Sequence, residues 1–176
     1  KFIRKERKLF DTGILMTPSF VLREVSKAAG WIAQAGGGVV FSGSPRTMYV
    51  AENLLPILEK LYGKKDIFVF FLKIPEKISI RRNSRRVVCS ICGAPLLTAY
   101  YPSKKYKHCP VCAGPFYKRT LDNPKTIRIR LEEYHNRTQP IFSFARKRGY
   151  RLREVNGSPP PYKVFSSIYG HLKNAG

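Results

Sequence analysis

The 176-residue chain carries 33 Lys and Arg residues against 11 Asp and Glu residues, a formal net charge of +22. Its length suits one ordinary domain with a small insertion, and a hydrophobic content of 43% excludes a disordered chain. The most apolar run, IFVFFLKIP, is too short for a membrane helix, and no secretory signal is visible. We therefore expect a cytoplasmic protein without membrane contact. The charge favours a polyanionic partner, although a basic proteome or a salt-adapted surface would also account for it.

The first half of the chain predicts alternating helices and strands. Residues 1–10 indicate a basic helix, and a second helix is predicted over about 17–34, with Thr17 as its cap and Pro18 in its first turn. The following segments complete this half in order: a short strand at 39–41, a helix over about 47–61 with Pro56 as a kink, an apolar strand at 66–74, and a helix at 75–83.

The second half continues the alternation after a cysteine-containing segment. A helix is expected to begin at Asn123–Pro124, and Pro140 is expected to divide the long apolar period that follows into two helices. YRLREVNG predicts a strand, and PYKVFSSIYGHLKN predicts a closing amphipathic helix. The whole pattern predicts an α/β layered fold with a parallel sheet, and the cysteine segment interrupts that pattern as an insertion.

All four cysteines lie in that insertion, as two Cys-x-x-Cys pairs separated by sixteen residues: Cys89, Cys92, Cys109 and Cys112. This spacing predicts a tetrahedral zinc site that has a structural rather than a catalytic role, because four protein ligands leave no open coordination position. Gly93, Pro110 and Gly114 suit the tight turns of such a site. Disulfides and free thiols are the alternatives, and His108 could replace one cysteine as a ligand.

Two groups of arginines indicate phosphate binding. Arg46 follows the predicted strand 39–41 in the turn SGSPRT, at a strand end where α/β proteins bind ligands, although an ordinary turn with a surface arginine is the alternative. The other arginines flank the insertion, with Arg82 and Arg86 four residues apart and so expected on one helix face. Together with Arg119 and Arg130 beyond the insertion, they suggest a clamp on a polyphosphate rather than solvated charge.

The order of these motifs resembles adenylate kinases of the zinc-lid type. The resemblance rests on GSPRT…AE, then R-x-S-x-R-x-x-C-x-x-CG, then C-x-x-C-x-G, then R-x-x-D-N-P…IRIRLEEYHNRTQP and VNG, over nearly the whole chain. It implies a P-loop-NTPase-like parallel sheet flanked by helices, with a small inserted zinc-binding lid. It also implies reversible phosphoryl transfer, ATP + AMP = 2 ADP, with Mg²⁺ accompanying ATP and with structural Zn²⁺. A monomer is expected.

The resemblance also implies roles for individual residues. The four cysteines would bind zinc, and Asp122 would occupy an acidic hinge position after the lid. AMP would contact Ile14, Leu15, Met16, Gly43, Ser44, Pro45 and Arg46. ATP would contact Arg82, Arg86, Pro95 and Leu96. Arg119 and Arg130 would span both nucleotides, and they would carry the catalysis together with Arg86, because phosphoryl transfer depends on positioning and charge neutralisation.

The implied domain boundaries follow from the same motifs. Residues 1–16 would be a remnant of the segment that binds the nucleoside monophosphate, and residues 17–81 would form the first part of the α/β core. Residues 82–120 would form the zinc-binding lid, and residues 121–176 would complete the core.

Four departures from the family pattern qualify these expectations. The printed sequence contains no G-x-x-G-x-G-K loop, so a strand, loop and helix of roughly 40 residues would be absent ahead of Lys1. Ser42 replaces an Asp that holds the waters of Mg²⁺, Val50 replaces a Gln that reads the AMP adenine, and Ser44 replaces an aromatic residue. Without the phosphate-binding loop, we expect the printed chain to be inactive alone. The choice of nucleoside monophosphate stays open.

Two interpretations therefore compete. One is an N-terminally truncated nucleoside monophosphate kinase, and the other is an inactive adenylate-kinase-like zinc protein that binds RNA, a ribosome or another polyanion. The second would use the basic and aromatic residues of the insertion for phosphate contact and base stacking: Lys104, Lys105, Lys107, Tyr100, Tyr101 and Tyr106.

Overall fold

The computed structural model describes residues 2–101 and 106–174, so Lys104 and Lys105 of the insertion lie outside the described residues. Seven α-helices and five strands occur in the described part of the chain. In chain order they are α1 (Phe2–Thr12), α2 (Pro18–Gln34), α3 (Met48–Tyr62), β1 (Phe68–Lys73), α4 (Glu76–Arg85), β2 (Val87–Cys89), β3 (Pro95–Leu96), β4 (Phe116–Tyr117), α5 (Pro124–Glu133), α6 (Gln139–Lys147), β5 (Arg151–Asn156) and α7 (Pro161–Lys173).

The helix boundaries follow local sequence signals. Pro18 is the first residue of α2, because proline suits a position whose amide has no helical partner. The prediction that Thr17 caps this helix was wrong: its side chain makes no capping hydrogen bond, and its hydroxyl donates to Glu6 instead. Thr47 caps α3, and its hydroxyl accepts a hydrogen bond from the Val50 amide at 3.4 Å. Pro56 lies inside α3, which continues as one helix on both sides of it. The helices predicted over 17–34 and 47–61 are therefore confirmed.

The chain divides into two compact units, of which the first comprises residues 1–71 and 133–153. Its core joins α2 and α3 to α6 and to the start of both long strands. The buried members of this core are Ala29, Val50, Leu54, Leu55, Leu58, Ile67, Ala145 and Tyr150. Phe71 and Phe142 stack beside it with their ring centroids 4.4 Å apart. Burial of these apolar side chains is the main force that holds the unit together.

The β1 and β5 strands form a parallel pair flanked by helices, which confirms the predicted α/β class.

The prediction of a strand at 39–41 was wrong, because residues 37–41 form neither helix nor strand. Val39 and Phe41 pack against the core of the first unit, whereas Val40 is 95% exposed. The alternation of burial is that of a strand, but among the described residues this segment has no ladder partner, and a strand needs one.

The second unit comprises residues 72–132 and 154–176 and contains the whole cysteine segment. Its three short strands form an antiparallel sheet in the order β3-β2-β4, with Val88 opposite Pro95 on one side and Tyr117 on the other. The segment predicted as a lid, 82–120, lies within this unit. The lid boundaries themselves stay a prediction.

The long helical segment after the cysteines is divided earlier than predicted. The α5 helix begins at Pro124 as expected, but a π-helical turn at Tyr134–Thr138 separates it from α6, and Pro140 lies in the first turn of α6.

Within the described residues, no helix is both long and apolar enough to cross a bilayer.

Candidate metal centre and phosphate-binding arginines

The two Cys-x-x-Cys pairs form two turns of nearly the same geometry. In the first, the amides of Ile91 and Gly93 donate to the Cys89 sulfur at 3.4 Å and to the Cys89 carbonyl at 3.1 Å. In the second, the amides of Val111 and Ala113 make the equivalent bonds to Cys109 at 3.4 and 2.8 Å. Each turn thus aims two thiols at the same point, which is the arrangement that a shared metal ion requires.

Glycine permits the two turns to meet closely. A Cβ atom on Gly114 would lie 2.7 Å from Ile91 Cγ1 and 3.0 Å from Cys89 Sγ, both in the first turn. Gly93 has the left-handed φ of 72° that ends the first turn, and Ala113 takes the equivalent position in the second with φ 60°. An alanine with a left-handed φ carries steric strain that glycine avoids.

The four sulfurs form a compact cluster, all within 4.8 Å of one another. The Cys89 and Cys112 sulfurs are 3.4 Å apart and the Cys92 and Cys109 sulfurs are 3.7 Å apart, too far for disulfide bonds. Zinc–sulfur bonds of about 2.3 Å in a tetrahedron place sulfurs about 3.8 Å apart. The cluster therefore fits a tetrahedral metal ion. His108 is exposed, and the cluster is complete without it.

The backbone of the first turn also favours thiolate. Hydrogen bonds from the amides of Cys92 and Ile91, with contacts to neighbouring thiols, lower the pKa of Cys89 to about 6 despite its burial. The Ala94 amide acts in the same direction on Cys92, but contacts with Cys112 and Cys109, together with burial, raise the pKa of Cys92 to about 12. Crowded thiols that share one site cannot all ionise easily, and a bound cation would relieve this repulsion.

A buried ion pair joins the two ends of the cysteine segment. Asp122 has a fully buried side chain and accepts two hydrogen bonds from Arg86, at 3.0 Å from Nε and 2.7 Å from Nη2. Arg86 is not on a helix face with Arg82 as predicted, because α4 ends at Arg85 and Arg86 is extended at φ −65°, ψ 141°. The bidentate pair fixes residue 86, where the chain enters the segment, against residue 122, where it leaves.

Arg119 and Arg130 lie on either side of Asp122 in the chain. The Asp122 amide donates to the Arg119 carbonyl at 3.1 Å, and Arg130 Nη1 is 4.0 Å from Asp122 Oδ1. Asn123 caps α5, since its side chain accepts a hydrogen bond from the Thr126 amide at 2.9 Å. The D-N-P sequence thus places an acidic residue immediately before a capped helix that carries Arg130.

Arg82 is only 8% exposed, and its guanidinium binds backbone rather than a carboxylate. Its Nη1 donates to the Gly157 carbonyl at 2.6 Å, and its Nη2 contacts the carbonyls of Ser158 and Pro159 and the Tyr100 hydroxyl. The guanidinium carbon also lies 4.8 Å from the centroid of the Tyr100 ring. These partners of Arg82 were not foreseen from the sequence, where the only available signal was the VNG motif next to the carbonyls.

The predicted AMP-contacting turn lies in the first unit. The Arg46 guanidinium folds over Gly43, where an added Cβ atom would lie 3.1 Å from Nη2. The Thr138 hydroxyl donates to the Arg46 carbonyl at 3.0 Å, and the buried Ser44 hydroxyl has no hydrogen-bond partner among the described residues. Val50, which replaces an expected adenine-reading residue, is 2% exposed in the core.

The remaining predicted contacts divide between the two units. Ile14, Leu15 and Met16 follow the turn that ends α1, and Ile14 is 60% exposed. Pro95 and Leu96 form β3 of the second unit, where Leu96 is buried and Pro95 is exposed. Their predicted contacts with nucleotides stay predictions.

These features define a class of protein: an α/β protein that carries a four-cysteine insertion with arginines and an aspartate at its ends. No model of a known protein family matches the chain. The chain is 33% identical over 152 residues to an adenylate kinase of Caldicellulosiruptor saccharolyticus. The matched residues cover 86% of this chain and 70% of that protein. An adenylate kinase of Lachnoclostridium phytofermentans is 32% identical and one of Archaeoglobus fulgidus is also 32% identical, each over 170 residues.

The last two matches span 96% and 97% of this chain and 76% and 77% of the respective relatives. The chain belongs to the adenylate kinase family, as the motif order predicted.

Proposed function

We propose that the full-length protein is a nucleoside monophosphate kinase that catalyses ATP + AMP = 2 ADP. Membership of the adenylate kinase family supports the reaction class. The single structural observation that carries the proposal is the group of Arg86, Arg130 and Asp122, because it holds two cations at the junction between the cysteine segment and α5. A cytoplasmic, monomeric protein is the accompanying prediction.

In this proposal the arginines supply the catalysis. Arg86, Arg119 and Arg130 would neutralise the charge that spreads over the phosphoryl oxygens, and Mg²⁺ accompanying ATP would supply further neutralisation of phosphate charge. Asp122 now accepts two hydrogen bonds from Arg86, so a nucleotide phosphate would have to compete with a carboxylate for that guanidinium. Arg82, Pro95 and Leu96 would position ATP.

The monophosphate would bind at the turn around Arg46. Its phosphate would face the guanidinium over Gly43, and the unpartnered Ser44 hydroxyl would offer it a further hydrogen bond. Pro45 and the segment Ile14–Met16 would complete this site. Because Val50 packs in the core, it cannot read the base edge, and AMP is the proposed substrate on family membership alone.

We propose that the four cysteines bind one structural Zn²⁺ ion. The sulfur separations of 3.4 and 3.7 Å and the paired amide bonds support a tetrahedral thiolate site. Cys89→Ser should lose the bound zinc and show an early melting step, whereas His108→Ala should keep one zinc per chain. Elemental analysis and calorimetry of both variants would test this, and retention of zinc by Cys89→Ser would contradict it.

The reaction itself is tested by coupled assay of ADP formation from ATP and AMP with zinc-loaded full-length protein. We expect turnover with AMP, and GMP, CMP and UMP tested in parallel would define the preferred monophosphate. Folded, zinc-loaded protein without turnover on any of the four would contradict the kinase proposal.

The second candidate is an inactive relative that binds RNA or another polyanion. Ser42 favours it, since this exposed hydroxyl stands where the family resemblance implies a carboxylate for Mg²⁺. The same assay separates the candidates, because the inactive relative should form no ADP. Ser42→Asp gives a further comparison: it should raise turnover of a kinase that handles Mg²⁺ poorly and leave an inactive relative unchanged.

A further inference from the structure

The first unit carries a concentration of positive charge outside the predicted nucleotide sites. Two chain segments contribute, EKLYGKKDI at 59–67 and FARKRGYRLR at 144–153. Together they contain eight Lys and Arg residues and two acidic residues. We define the basic turn surface as the exposed cations of these two turns: Lys60, Lys64, Lys65, Arg146, Lys147 and Arg148.

Contacts between the two turns make this one surface. Lys64 Nζ lies 5.4 Å from the centroid of the Tyr150 ring and would lie 3.6 Å from a Cβ atom on Gly149. On the neighbouring strands, the Arg151 guanidinium carbon lies 5.2 Å from the centroid of the Phe68 ring. The lysines after α3 therefore lie beside the arginines after α6.

Local structure holds the surface in shape. Gly63 and Gly149 adopt φ values of 80° and 74°, which turn the chain sharply after α3 and α6. Tyr150 lies beneath the surface with 6% exposure, and its pKa is raised to about 12 by burial and by a hydrogen bond with Glu59. Glu59, one of the two acidic residues in these segments, is thus already engaged by a buried hydroxyl.

Helix stabilisation explains only part of the charge. Cations in the last turn of a helix interact favourably with its dipole, which accounts for Lys60 in α3 and for Arg146 and Lys147 in α6. Lys64, Lys65 and Arg148 lie beyond those helix ends. Like charges placed side by side repel one another, and the exposed Asp66 can offset only one of these cations, so a counter-charge is expected to bind here.

The surface lies at the amino ends of both long strands. Residues 63–67 precede β1 and residues 148–150 precede β5. The predicted AMP turn at 43–46 belongs to neither segment. Binding at the basic turn surface would therefore use none of the residues that the proposed kinase reaction needs.

We propose that the basic turn surface binds the phosphate backbone of nucleic acid. Exposed cations gathered on two adjacent turns suit repeating phosphates, which need no base-specific contact. A membrane is less well matched: the aromatic rings here lie under the cations, with Tyr150 buried, whereas interfacial binding uses aromatic side chains that can insert into the bilayer.

The test measures binding of a fluorescein-labelled 20-nucleotide oligouridylate to the full-length protein by anisotropy, between 50 and 200 mM salt. Lys64→Glu/Lys65→Glu should weaken binding about tenfold and lower the slope of log K against log salt by about 1.4, since each phosphate contact contributes about 0.7. The matched control is Lys77→Glu/Lys125→Glu, which changes two exposed lysines and the same net charge elsewhere.

The outcomes separate a site from diffuse charge. Selective loss in the Lys64/Lys65 variant, with an unchanged melting temperature, supports the proposal. Equal loss in both double variants overturns it, as does a wild-type protein that fails to bind the oligonucleotide. Vesicles of phosphatidylcholine and phosphatidylserine form a second arm: binding to them that depends on Lys64 and Lys65, without oligonucleotide binding, would assign the surface to a membrane instead.

Discussion

The buried charge of Asp122 is expected to contribute strongly to the stability of the fold. Its carboxylate is fully buried, with two hydrogen bonds from Arg86 and with Arg130 Nη1 at 4.0 Å. Removing one partner of such a pair leaves a poorly compensated charge, so Asp122→Asn should lower the free energy of unfolding by about 2–4 kcal/mol. Urea denaturation of the parent and the variant would measure this.

Asp11→Asn is the matched control for this prediction. Asp11 also pairs with an arginine, Arg7 at 3.1 Å, but both side chains are more than half exposed. Exposed i,i+4 pairs contribute about 0.3–0.5 kcal/mol, so this variant should be almost as stable as the parent. Equal effects of the two substitutions would contradict a special role for Asp122.

Ala113 offers a second prediction at the scale of one residue. Its φ of 60° is left-handed, where the equivalent position of the first cysteine turn has Gly93. Ala113→Gly should raise the free energy of unfolding by roughly 0.5 kcal/mol, because it removes backbone strain at some cost in chain entropy. Thermal denaturation should show this as a slightly higher melting temperature. Gly93→Ala should destabilise by about 1 kcal/mol. The prediction fails if both substitutions act in the same direction.

At the scale of elements, Glu6 fixes the start of α2. Its carboxylate accepts hydrogen bonds from the Thr17 amide at 2.8 Å and from the Thr17 hydroxyl at 2.6 Å. The hydroxyl bond is the largest cause that lowers the pKa of Glu6 from its ordinary 4.5. A lowered pKa means that the carboxylate stabilises the fold above pH 4.5, and that this contribution disappears as the pH falls through the folded pKa.

The pH dependence of stability checks this contact. The parent should lose stability as the pH falls below 4.5 and through the lowered pKa of Glu6, and Glu6→Gln should lose less because it has no carboxyl to protonate. Glu24→Gln provides the control, since Glu24 is exposed and pairs with its neighbour Arg23 on the helix surface. Identical pH profiles for the parent and Glu6→Gln would refute the prediction.

Most helices could be predicted because their signals are local. Proline marks the starts of α2 and α5 through its fixed φ, and Asn123 caps α5 with its own side chain; neither signal needs a distant partner. Thr17 makes no such cap, and its hydroxyl donates to Glu6 instead. The prediction of a strand at 39–41 was wrong because a strand depends on a distant partner rather than on a local signal. The apolar sequence favours a strand, but a strand forms only against a neighbour, and the described residues supply none at that position.

At the scale of the whole molecule, the clustering of the four cysteines was predictable and the arginine contacts were not. Cys-x-x-Cys spacing alone determines the turns that bring four sulfurs together. The sequence identified Arg82 and Arg86 as a pair, yet the first binds backbone carbonyls and the second binds Asp122. The partner of a long side chain depends on tertiary packing. Gly157 is 75 positions from Arg82 in the chain, and Asp122 is 36 positions from Arg86, so local sequence could not predict either contact.

The catalytic proposal leads to a prediction about the full-length enzyme. Arg119→Ala and Arg130→Ala should each lower kcat by about 10²–10³-fold, because each would remove a charge that stabilises the transferring phosphoryl group. Arg128→Ala is the control, since Arg128 is an exposed cation of the same helix as Arg130. Steady-state ADP formation, with stability measured in parallel, distinguishes catalysis from folding. Near-normal kcat in either of the first two variants would show that its arginine has no part in phosphoryl transfer.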